Sequence, residues 1–222
     1  MRWVVLVVDD HPLVGQALEL SIRAAYPQFD VARAVSATEA EAYAKASGQV
    51  VKVVLLDLLL PDARGFDALL RLQQLMPQAA FAMVSSRIDA HAVAMARAFG
   101  VKGYLSKAAP VETLVNAVGA ILRGQELFPL EVAPSREAED FHQRVSRLSA
   151  AQLRVLRALS DGKLNKQIAV DMSLTEGTVK QHVSAILKKL EVCNRSQAIL
   201  KASPYLRGDN PLASTSTRGS DA

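Results

Sequence analysis

Short apolar runs alternate with helix-patterned segments over the first 123 residues, and this alternation restricts the fold more than any other feature. The predicted strands are Trp3–Val8, Phe29–Val35, Val50–Leu56, Ala80–Val84 and Lys102–Leu105. The predicted helices are Pro12–Tyr26, Thr38–Ala46, Phe66–Met76, Ala90–Phe99 and Val111–Leu122. Alternation of this period predicts an α/β fold, with a doubly wound, five-stranded parallel sheet covered by helices on both faces.

Residues at the helix ends agree with these boundaries. Pro12 lies where the first turn of a helix tolerates proline. Ser36 and Asp89 have side chains that can cap the second and fourth helices. Gly100 and Gly124 follow helices, as C-terminal glycines commonly do. These residues at the helix ends therefore support the same five helices.

The pattern changes after residue 125. Residues 126–146 contain two prolines and a charged cluster, which predicts a linker with a helical piece near 136–146. From residue 147 the pattern is purely helical, with predicted helices at 150–160, 164–171, 175–190 and 196–202. We therefore predict a first domain over 1–125, a linker over 126–146, a small all-α four-helix domain over 147–203 and a disordered tail over 204–222.

Charge is distributed unevenly between these parts. The net charge of the chain is +4, with +1 in residues 1–125, −4 in residues 126–140 and +7 in residues 141–203. This asymmetry predicts that only the second domain meets a polyanion. A small domain can also be basic merely because this keeps it in solution. Charge alone therefore does not decide whether the second domain binds a polyanion.

Several classes of protein are disfavoured. The sequence contains no apolar run of about 18 residues, which a membrane-spanning helix requires. The apolar run near Met1 ends at Asp9, too soon for a signal peptide. The single cysteine, Cys193, can form neither an internal disulfide nor a metal site alone. We expect a soluble protein of a reducing compartment, the cytoplasm.

Polar residues of the first domain fall where predicted strands end. The first strand is followed by Asp9 and Asp10, the third by Asp57, the fourth by Ser85, and Lys107 comes after the fifth. Right-handed crossovers place these positions along one edge of the sheet. Three carboxylates about 4 Å apart repel by several kcal/mol, and Mg²⁺ with oxygen ligands relieves this repulsion.

The lysine and the hydroxyl at the same edge could bind a phosphoryl group on the third carboxylate, since aspartyl phosphates are a known form of covalent catalysis. Taken singly, Asp9 or Asp10 could be a helix cap, Asp57 a turn residue and Lys107 a surface charge. Their occurrence together at one sheet edge favours a site.

Residues 1–125 resemble the receiver domains of two-component response regulators, which have a flavodoxin-like fold. The matching segments are Val7–Val14, Leu55–Gly65, Met83–Ser86 and Gly103–Pro110. The resemblance implies that a sensor histidine kinase phosphorylates Asp57. It also implies a set of further roles: Asp10, Asp57 and the backbone carbonyl of Leu59 as Mg²⁺ ligands, Asp9 acting through water, Lys107 and Ser85 on the phosphoryl oxygens, and Tyr104 as an aromatic switch.

Two positions depart from well-studied polar variants of the family. Leu59 is apolar and Arg87 is basic, and both are expected to border the phosphoryl group. Because Leu59 cannot orient a water molecule, we expect slow self-dephosphorylation, unless both residues merely line the surface.

In the family, a proline at position 110 accompanies a cis peptide bond after Lys107, at a cost of about 3 kcal/mol.

A helix-turn-helix pattern appears in the second domain. Residues 166–173 fit a scaffold helix and turn, and residues 174–183 fit the start of a second helix. The residues expected to face the core are Leu174, Val179, Val183, Ile186, Leu187 and Leu190. Those expected to face outward are Thr178, Lys180, Gln181, Ser184 and Lys188. Such side chains suit base edges and phosphates, although most amphipathic helices are only solvated.

Residues 148–203 resemble the LuxR-type (NarL/FixJ) DNA-binding domain. The matching residues are Leu148-Ser149, Val155-Leu156, Gly162–Ala169, Thr178–His182, Lys189–Val192, Arg195 and Ala198. The resemblance implies transcription regulation at promoter DNA. It implies backbone contacts from Lys166, Thr178, Lys180, His182 and Lys188, and positions Lys180, Gln181 and Ser184 nearest the base edges.

Some details of this second domain stay open. His182 can equally be a packed, half-buried residue. Gln152 replaces a glutamate that is usual in the first helix of the domain. Gly177 lies inside the reading helix, at a cost of up to about 1 kcal/mol relative to alanine, and either admits a phosphate or only weakens the helix end.

Together these features predict a response regulator transcription factor rather than an enzyme, apart from its own phosphotransfer and dephosphorylation. Phosphorylation would control dimerisation, release of the DNA-binding domain, or both, with a homodimer as the active form and the helix 196–202 as a second contact surface. Two other classes are considered: a phosphorylation-independent DNA-binding regulator whose receiver serves only protein contacts, and a phosphoester hydrolase using Asp57.

Overall fold

The computed structural model describes residues 2–64, 66–86, 88–129 and 132–206. The chain divides into two compact units. The first comprises residues up to Arg64 together with Ala68–His142, and the second is built chiefly from Gln143 and the residues after it. Within the described residues, no helix is both long enough and apolar enough to span a membrane.

Five parallel strands form the sheet of the first unit. They are β1 (Trp3–Val8), β2 (Phe29–Ala34), β3 (Val50–Asp57), β4 (Ala80–Ser85) and β5 (Gly103–Ser106). The spatial order is β2-β1-β3-β4-β5, which confirms the doubly wound parallel sheet. The order reverses between β1 and β3, and ligands of open α/β sheets bind at such a switch point.

Helices connect these strands. They are α1 (Pro12–Ala25), α2 (Ala37–Ala46), α3 (Asp67–Leu75), α4 (Ala90–Ala98) and α5 (Val111–Leu122). Each predicted helix and strand of this unit begins and ends within one residue of its observed bounds. Ser36 and Asp89 cap α2 and α4 as predicted, since their side chains accept from the N–H groups of Glu39 and Ala92 at 3.1 and 2.8 Å.

Both faces of the sheet are covered. On one face, side chains of β1 and β3 such as Val5 and Leu55 pack in one cluster with Ile22 of α1 and Val118 of α5. The alternate residues of β1, including Leu6, are also fully buried. Strands buried on both sides are continuously apolar rather than alternating, which explains the uninterrupted run Val4–Val8.

The start of the predicted linker lies along the outer edge of β5. The N–H of Tyr104 donates to the carbonyl of Leu127 at 2.8 Å, and the N–H of Leu127 donates to Lys102 at 2.9 Å. An edge strand leaves a row of backbone groups unpaired, and Leu127 satisfies part of this row. Further along, α6 (Arg136–Val145) forms where a helical piece was predicted.

Four further helices form the second unit. They are α7 (Ala150–Ser160), α8 (Asn165–Asp171), α9 (Glu176–Leu190) and α10 (Arg195–Leu206). Their buried side chains include Leu153 and Leu156 of α7, Ile168 of α8 and Ile186 of α9. The predicted four-helix arrangement is therefore present.

The prediction of a tail from residue 204 is wrong for its first three residues. Helix α10 continues to Leu206 and contains Pro204. Ala198, Ala202 and Leu206 are buried on it at four-residue spacing, so the apolar face extends past the proline. Burial of this face outweighs the one backbone hydrogen bond that proline cannot donate. Residues 207–222 lie outside the described residues.

Candidate phosphoacceptor site and DNA-binding surface

The predicted acidic residues meet at the carboxyl edge of the sheet. Since β1 and β3 are neighbours, Asp9 and Asp10 lie beside Asp57. Asp57 and Asp9 are only 2% and 3% exposed, and Asp10 is partly buried. Buried charges need an opposite charge or a metal ion, so the surroundings of these carboxylates decide what the edge can do.

Lys107 reaches this edge from the end of β5. Its Nζ lies 2.6 Å from Asp57 Oδ2 and 2.9 Å from Asp9 Oδ2. Its backbone N–H donates to the carbonyl of Ser85 at 2.9 Å, which fixes the lysine beside the end of β4. Lys107 therefore joins Asp57, 50 residues earlier in the chain, and Asp9, 98 residues earlier, in one ion-pair cluster.

Burial and hydrogen bonding have opposite effects on the pKa values of Asp57 and Lys107. Burial raises the pKa of Asp57, against the hydrogen bonds from Lys107 and the Leu59 N–H. Burial acts to lower the pKa of Lys107, but its hydrogen bonds to Asp57 and Asp9 outweigh this and raise it. The lysine is thus held as a cation beside the buried carboxylates, where it can attract an anionic phosphoryl group.

The other predicted receiver residues border this cluster or the strands beside it. The N–H of Leu59 donates to Asp57 Oδ1 at 3.0 Å, while the Leu59 side chain is 56% exposed. Ser85 and Tyr104 are buried. Arg87 lies outside the described residues.

The cis peptide bond expected after Lys107 is absent, because all peptide bonds of the described residues are trans. A turn accommodates the segment instead, with the N–H of Ala109 donating to the carbonyl of Ser106 at 3.1 Å. The trans form avoids a cost of about 3 kcal/mol.

The donor set of the edge fits Mg²⁺. One ligand atom from each of Asp9, Asp10, His11 and Asp57 lies within 4.8 Å of the others. Oδ1 of Asp10 is buried and has no aligned hydrogen-bond donor, and His11 Nδ1 lies 2.8 Å from it. Carboxylate oxygens are the protein ligands that Mg²⁺ prefers, and three of these four residues offer one.

Two residues of this region were missed by the sequence reasoning. His11 belongs to the cluster, and its position directly after the two aspartates was the available signal. Asp62, in the loop after β3, accepts from the N–H groups of Ala37 and Thr38 at 2.9 and 2.8 Å and from Thr38 Oγ1 at 2.6 Å. It caps α2 from a distant part of the chain, for which the sequence carries no local signal.

In the second unit, α8 and α9 form the helix-turn-helix. Ser173 takes a left-handed conformation (φ 55°) in the turn. Thr175 then caps α9 by accepting from the N–H of Thr178 at 3.1 Å. The turn and the cap together start α9 within one residue of its predicted position.

The predicted contact residues of the helix-turn-helix divide by exposure. Lys166, on α8, is exposed, as are Lys180, Gln181, Ser184 and Lys188 on α9, whereas Thr178 and His182 are half-buried. Lys180 Nζ lies 3.2 Å from Glu176, one turn earlier. The opposite face of α9 is buried through residues such as Val179, Ile186 and Leu190. An exposed polar face with three lysines therefore lies on this unit.

Gln152 fits the position where glutamate is usual. Its Oε1 accepts from the N–H of Ser149 at 3.0 Å, and the Ser149 hydroxyl accepts from the N–H of Gln152, which completes a capping box at the start of α7. The same Oε1 accepts from Lys189 Nζ at 2.8 Å. The amide thus retains the hydrogen bonds that a carboxylate would accept.

Two protein families match this chain. Residues 5–119 match the response regulator receiver domain, and residues 146–202 match the luxR family of bacterial regulatory proteins. The chain belongs to the response regulators that join a receiver domain to a LuxR-type DNA-binding domain. This class comprises regulators of transcription, in agreement with the prediction from the sequence.

Individual relatives agree with this assignment. The glycerol metabolism activator of Pseudomonas putida is 32% identical over 210 residues, covering 89% of this chain and 94% of the relative. The response regulator protein VraR of Staphylococcus aureus is 32% identical over 204 residues, covering 89% and 95%.

Solved structures support the fold. RcsB from Salmonella enterica serovar Typhimurium, bound to a promoter in the presence of phosphomimetic BeF3⁻, has a TM-score of 0.51 at 20% identity and covers 90% of this chain and 97% of its own. A LuxR family DNA-binding response regulator from Silicibacter pomeroyi has a TM-score of 0.50 at 30% identity, covering 58% of this chain and 97% of its own.

Proposed function

We propose that a sensor histidine kinase phosphorylates Asp57 and that this phosphorylation controls promoter binding by the LuxR-type domain. The observation that carries the proposal is the contact of Lys107 Nζ with both Asp57 and Asp9, at 2.6 and 2.9 Å. A buried carboxylate paired with a lysine, beside two further carboxylates, suits a nucleophile that must accept an anionic group. The proposal places the protein in the cytoplasm, where promoter DNA lies.

The phosphotransfer forms one bond and breaks one bond. A carboxylate oxygen of Asp57 attacks the phosphorus of the kinase phosphohistidine, and the imidazole nitrogen leaves with the electron pair of the P–N bond. Lys107 offers its ammonium to the negative charge on the phosphoryl oxygens. The N–H of Leu59 holds the Asp57 carboxylate in orientation. In this proposal the chain catalyses only its own phosphorylation and dephosphorylation.

Asp10, Asp57 and the carbonyl of Leu59 would hold Mg²⁺ directly, with Asp9 acting through water. The ion would supply positive charge that neutralises the phosphoryl oxygens as the transfer proceeds. Ser85 would contact one of these oxygens. Because Lys107 now pairs with Asp9 and Asp57, we expect its ammonium to shift toward the phosphoryl group once that group is present.

Phosphorylation with acetyl phosphate tests the assignment of Asp57. The Asp57→Asn variant should take up no phosphate, measured by intact-protein mass spectrometry in Mg²⁺. The matched control is Asp30→Asn, which changes a partly exposed aspartate paired with Arg2 and should label like the wild type. Labelling that persists in Asp57→Asn at another residue would overturn the assignment.

The phosphoryl group would act on the second domain by shifting a conformational equilibrium. Ser85 and Tyr104 are buried near the site, and a change in their arrangement would alter the face formed by α4 and α5. Either dimerisation or release of the DNA-binding domain would follow. RcsB binds DNA as dimers in one solved complex, and we propose a homodimer as the active form here. Light scattering with and without acetyl phosphate separates the two routes: a mass doubling indicates dimerisation.

DNA binding would use the exposed face of α9 together with Lys166. Lys166, Thr178, Lys180, His182 and Lys188 would contact the DNA backbone, and Lys180, Gln181 and Ser184 would lie nearest the bases. Each phosphate contact that is lost should reduce the slope of log affinity against log salt by about 0.9. We expect this for Lys188→Ala, measured by fluorescence anisotropy with a short nonspecific duplex. Lys45→Ala in α2 is the control and should leave the slope unchanged.

A phosphorylation-independent regulator is the alternative. In that case acetyl phosphate would leave the DNA affinity of the wild type unchanged. Under our proposal the affinity changes with acetyl phosphate, and the Asp57→Asn variant does not respond.

A further inference from the structure

His11 begins α1 but does not cap it with its side chain. It occupies the N-cap position in an extended conformation (φ −83°, ψ 108°), directly before Pro12, and makes no side-chain hydrogen bond to the helix. N-cap residues are commonly Ser, Thr, Asp or Asn, whose side chains satisfy the free N–H groups of the first turn. The ring of His11 is therefore not used in capping the helix.

The ring faces the acidic edge. His11 Nδ1 lies 2.8 Å from Asp10 Oδ1 and 3.3 Å from Asp9 Oδ1. The same nitrogen lies 3.3 Å from Lys107 Nζ. The backbone N–H of His11 donates to Asp9 Oδ1 at 2.8 Å, which holds the residue close to this carboxylate.

These separations match neighbouring ligands of one metal ion. Metal bonds to imidazole nitrogen and carboxylate oxygen are about 2.1 Å long, so adjacent ligands at about 90° to 110° lie about 3.0 to 3.4 Å apart. Both oxygen distances from His11 Nδ1 fall at or close to this range. In the tautomer that carries its proton on Nε2, the lone pair of Nδ1 faces Lys107 and the acidic edge.

We propose that His11 Nδ1 is a ligand for transition-metal ions such as Co²⁺ at the acidic edge, so that the site distinguishes these ions from Mg²⁺. Imidazole suits Zn²⁺, Ni²⁺ and related ions, whereas Mg²⁺ prefers oxygen ligands alone. This inference rests on the proposed function because Asp10 and Asp57 serve both kinds of ion. The ammonium of Lys107 moves away from Nδ1 when the ion binds.

Calorimetric titration of the full-length protein with Mg²⁺ and with Co²⁺ tests this role. The His11→Asn variant removes the nitrogen ligand, while asparagine remains a favourable N-cap, so the fold should survive. We expect Co²⁺ affinity to fall at least about tenfold, as losses of metal-site groups commonly do, and Mg²⁺ affinity to change less than about twofold. His91→Ala is the matched control and should change neither affinity. Equal losses for both ions in His11→Asn would overturn the proposal, because they would indicate that His11 only orients Asp10.

Proton NMR of the Co²⁺ form gives a direct test of coordination. A coordinated imidazole should show an exchangeable, strongly shifted Nε2–H signal that disappears in D₂O. This signal should be present in the wild type and in His91→Ala and absent in His11→Asn. Its absence from the wild type, or its persistence in His11→Asn, would overturn the proposal.

Failure of this inference can be told apart from failure of the proposed function. If the wild type binds Mg²⁺ and takes phosphate on Asp57 but shows no imidazole signal with Co²⁺, only the role of His11 is wrong. If the wild type neither binds Mg²⁺ nor takes phosphate, the phosphoacceptor assignment itself is wrong.

Discussion

The acidic edge of the sheet, where we propose phosphorylation, and helix α9, which we propose contacts DNA, are built in opposite ways. Asp9, Asp57 and Lys107 come from three distant parts of the chain, are largely buried and contact one another. Lys180 and Lys188 lie two turns apart on one helix and are exposed. The first site exists only through the sheet, whereas the second needs only a helix with one buried face.

This difference has energetic consequences. Residues in contact within one ion-pair network have coupled effects, whereas separated surface residues have nearly additive effects. Substitutions at the sheet edge should therefore change the free energy of unfolding as well as function. Substitutions on the outer face of α9 should change DNA binding and leave stability almost unaltered.

The largest expected effect comes from Lys107→Met. It leaves Asp57 and Asp9 buried without their cation, and breaking a buried ion pair costs about 3 to 5 kcal/mol. Urea unfolding in EDTA measures the loss, followed by the fluorescence of Trp3, the single tryptophan, which lies in β1. Lys188→Met, on the exposed face of α9, is the control and should change stability by less than about 0.5 kcal/mol.

A double variant isolates the coupling. Asp57→Asn removes one of the carboxylates that Lys107 neutralises, so Asp57→Asn with Lys107→Met should be more stable than Lys107→Met alone. If the two substitutions are additive, or if Lys107→Met is as stable as Lys188→Met, the proposed contrast between the two regions is wrong.

Asp62→Ala should have the next largest effect. Its side chain accepts three hydrogen bonds from Ala37 and Thr38 at the start of α2, and loss of such a cap costs about 1 to 2 kcal/mol. Ser36→Ala is the matched variant, because it removes only the local cap to Glu39. Equal losses would mean that the distant cap adds nothing beyond the local one.

The contribution of Asp62 depends on pH. Although burial acts to raise it, hydrogen bonds from Thr38 and Ala37 and the charge of Arg71 lower the pKa of Asp62. The contribution of Asp62 to the free energy of unfolding should therefore be complete at pH values above the usual carboxyl pKa. It should decline as the pH falls through the lowered pKa. The difference in stability between wild type and Asp62→Ala should shrink in this acid range. A difference that is constant with pH would contradict the role of the carboxylate.

Leu59→Asn should accelerate loss of phosphate from purified, phosphorylated protein. The leucine cannot hold a water molecule, whereas an asparagine can, and one such hydrogen bond contributes about 1 kcal/mol, or roughly fivefold in rate. Mass spectrometry over time measures the decay. Loss within minutes in the wild type that is unchanged in Leu59→Asn would argue against slow self-dephosphorylation set by Leu59. Leu13→Asn, at an exposed position of α1, is the control.

Gly177→Ala should give the smallest effect, and it should raise stability rather than lower it. The nearest atom to an added Cβ is Thr175 Oγ1 at 3.7 Å, so the methyl group fits. Alanine should stabilise α9 by up to about 1 kcal/mol, measured as a rise in the melting temperature of the second unit. Unchanged DNA affinity would mean that Gly177 only weakens the helix end, whereas weaker binding would indicate close approach of a phosphate.

The sequence predicted the elements of the first unit closely because their signals are local. Apolar runs, caps such as Ser36 and Asp89 and C-terminal glycines each depend on a few neighbouring residues. Predictions from these local signals failed where the interacting residues are distant in the chain. Leu127 pairs with β5 from within the predicted linker, and α10 continues through Pro204 because its buried face extends to Leu206.

The candidate site was predicted in part for the same reason. The positions of the aspartates and Lys107 at strand ends follow from the sequence. The contacts of Asp62 with α2 and of His11 with the acidic edge do not, since each depends on how loops lie after the sheet has formed.

The sequence by itself determined the strand and helix pattern, the charge difference between the two parts of the chain and the residue types at the sheet edge and on α9. These properties depend only on the order of neighbouring residues in the sequence. Only the tertiary structure decided that one ammonium group contacts two buried carboxylates and that an imidazole joins them. Such contacts depend on distances of a few ångströms between residues far apart in the chain, which only the packed sheet sets.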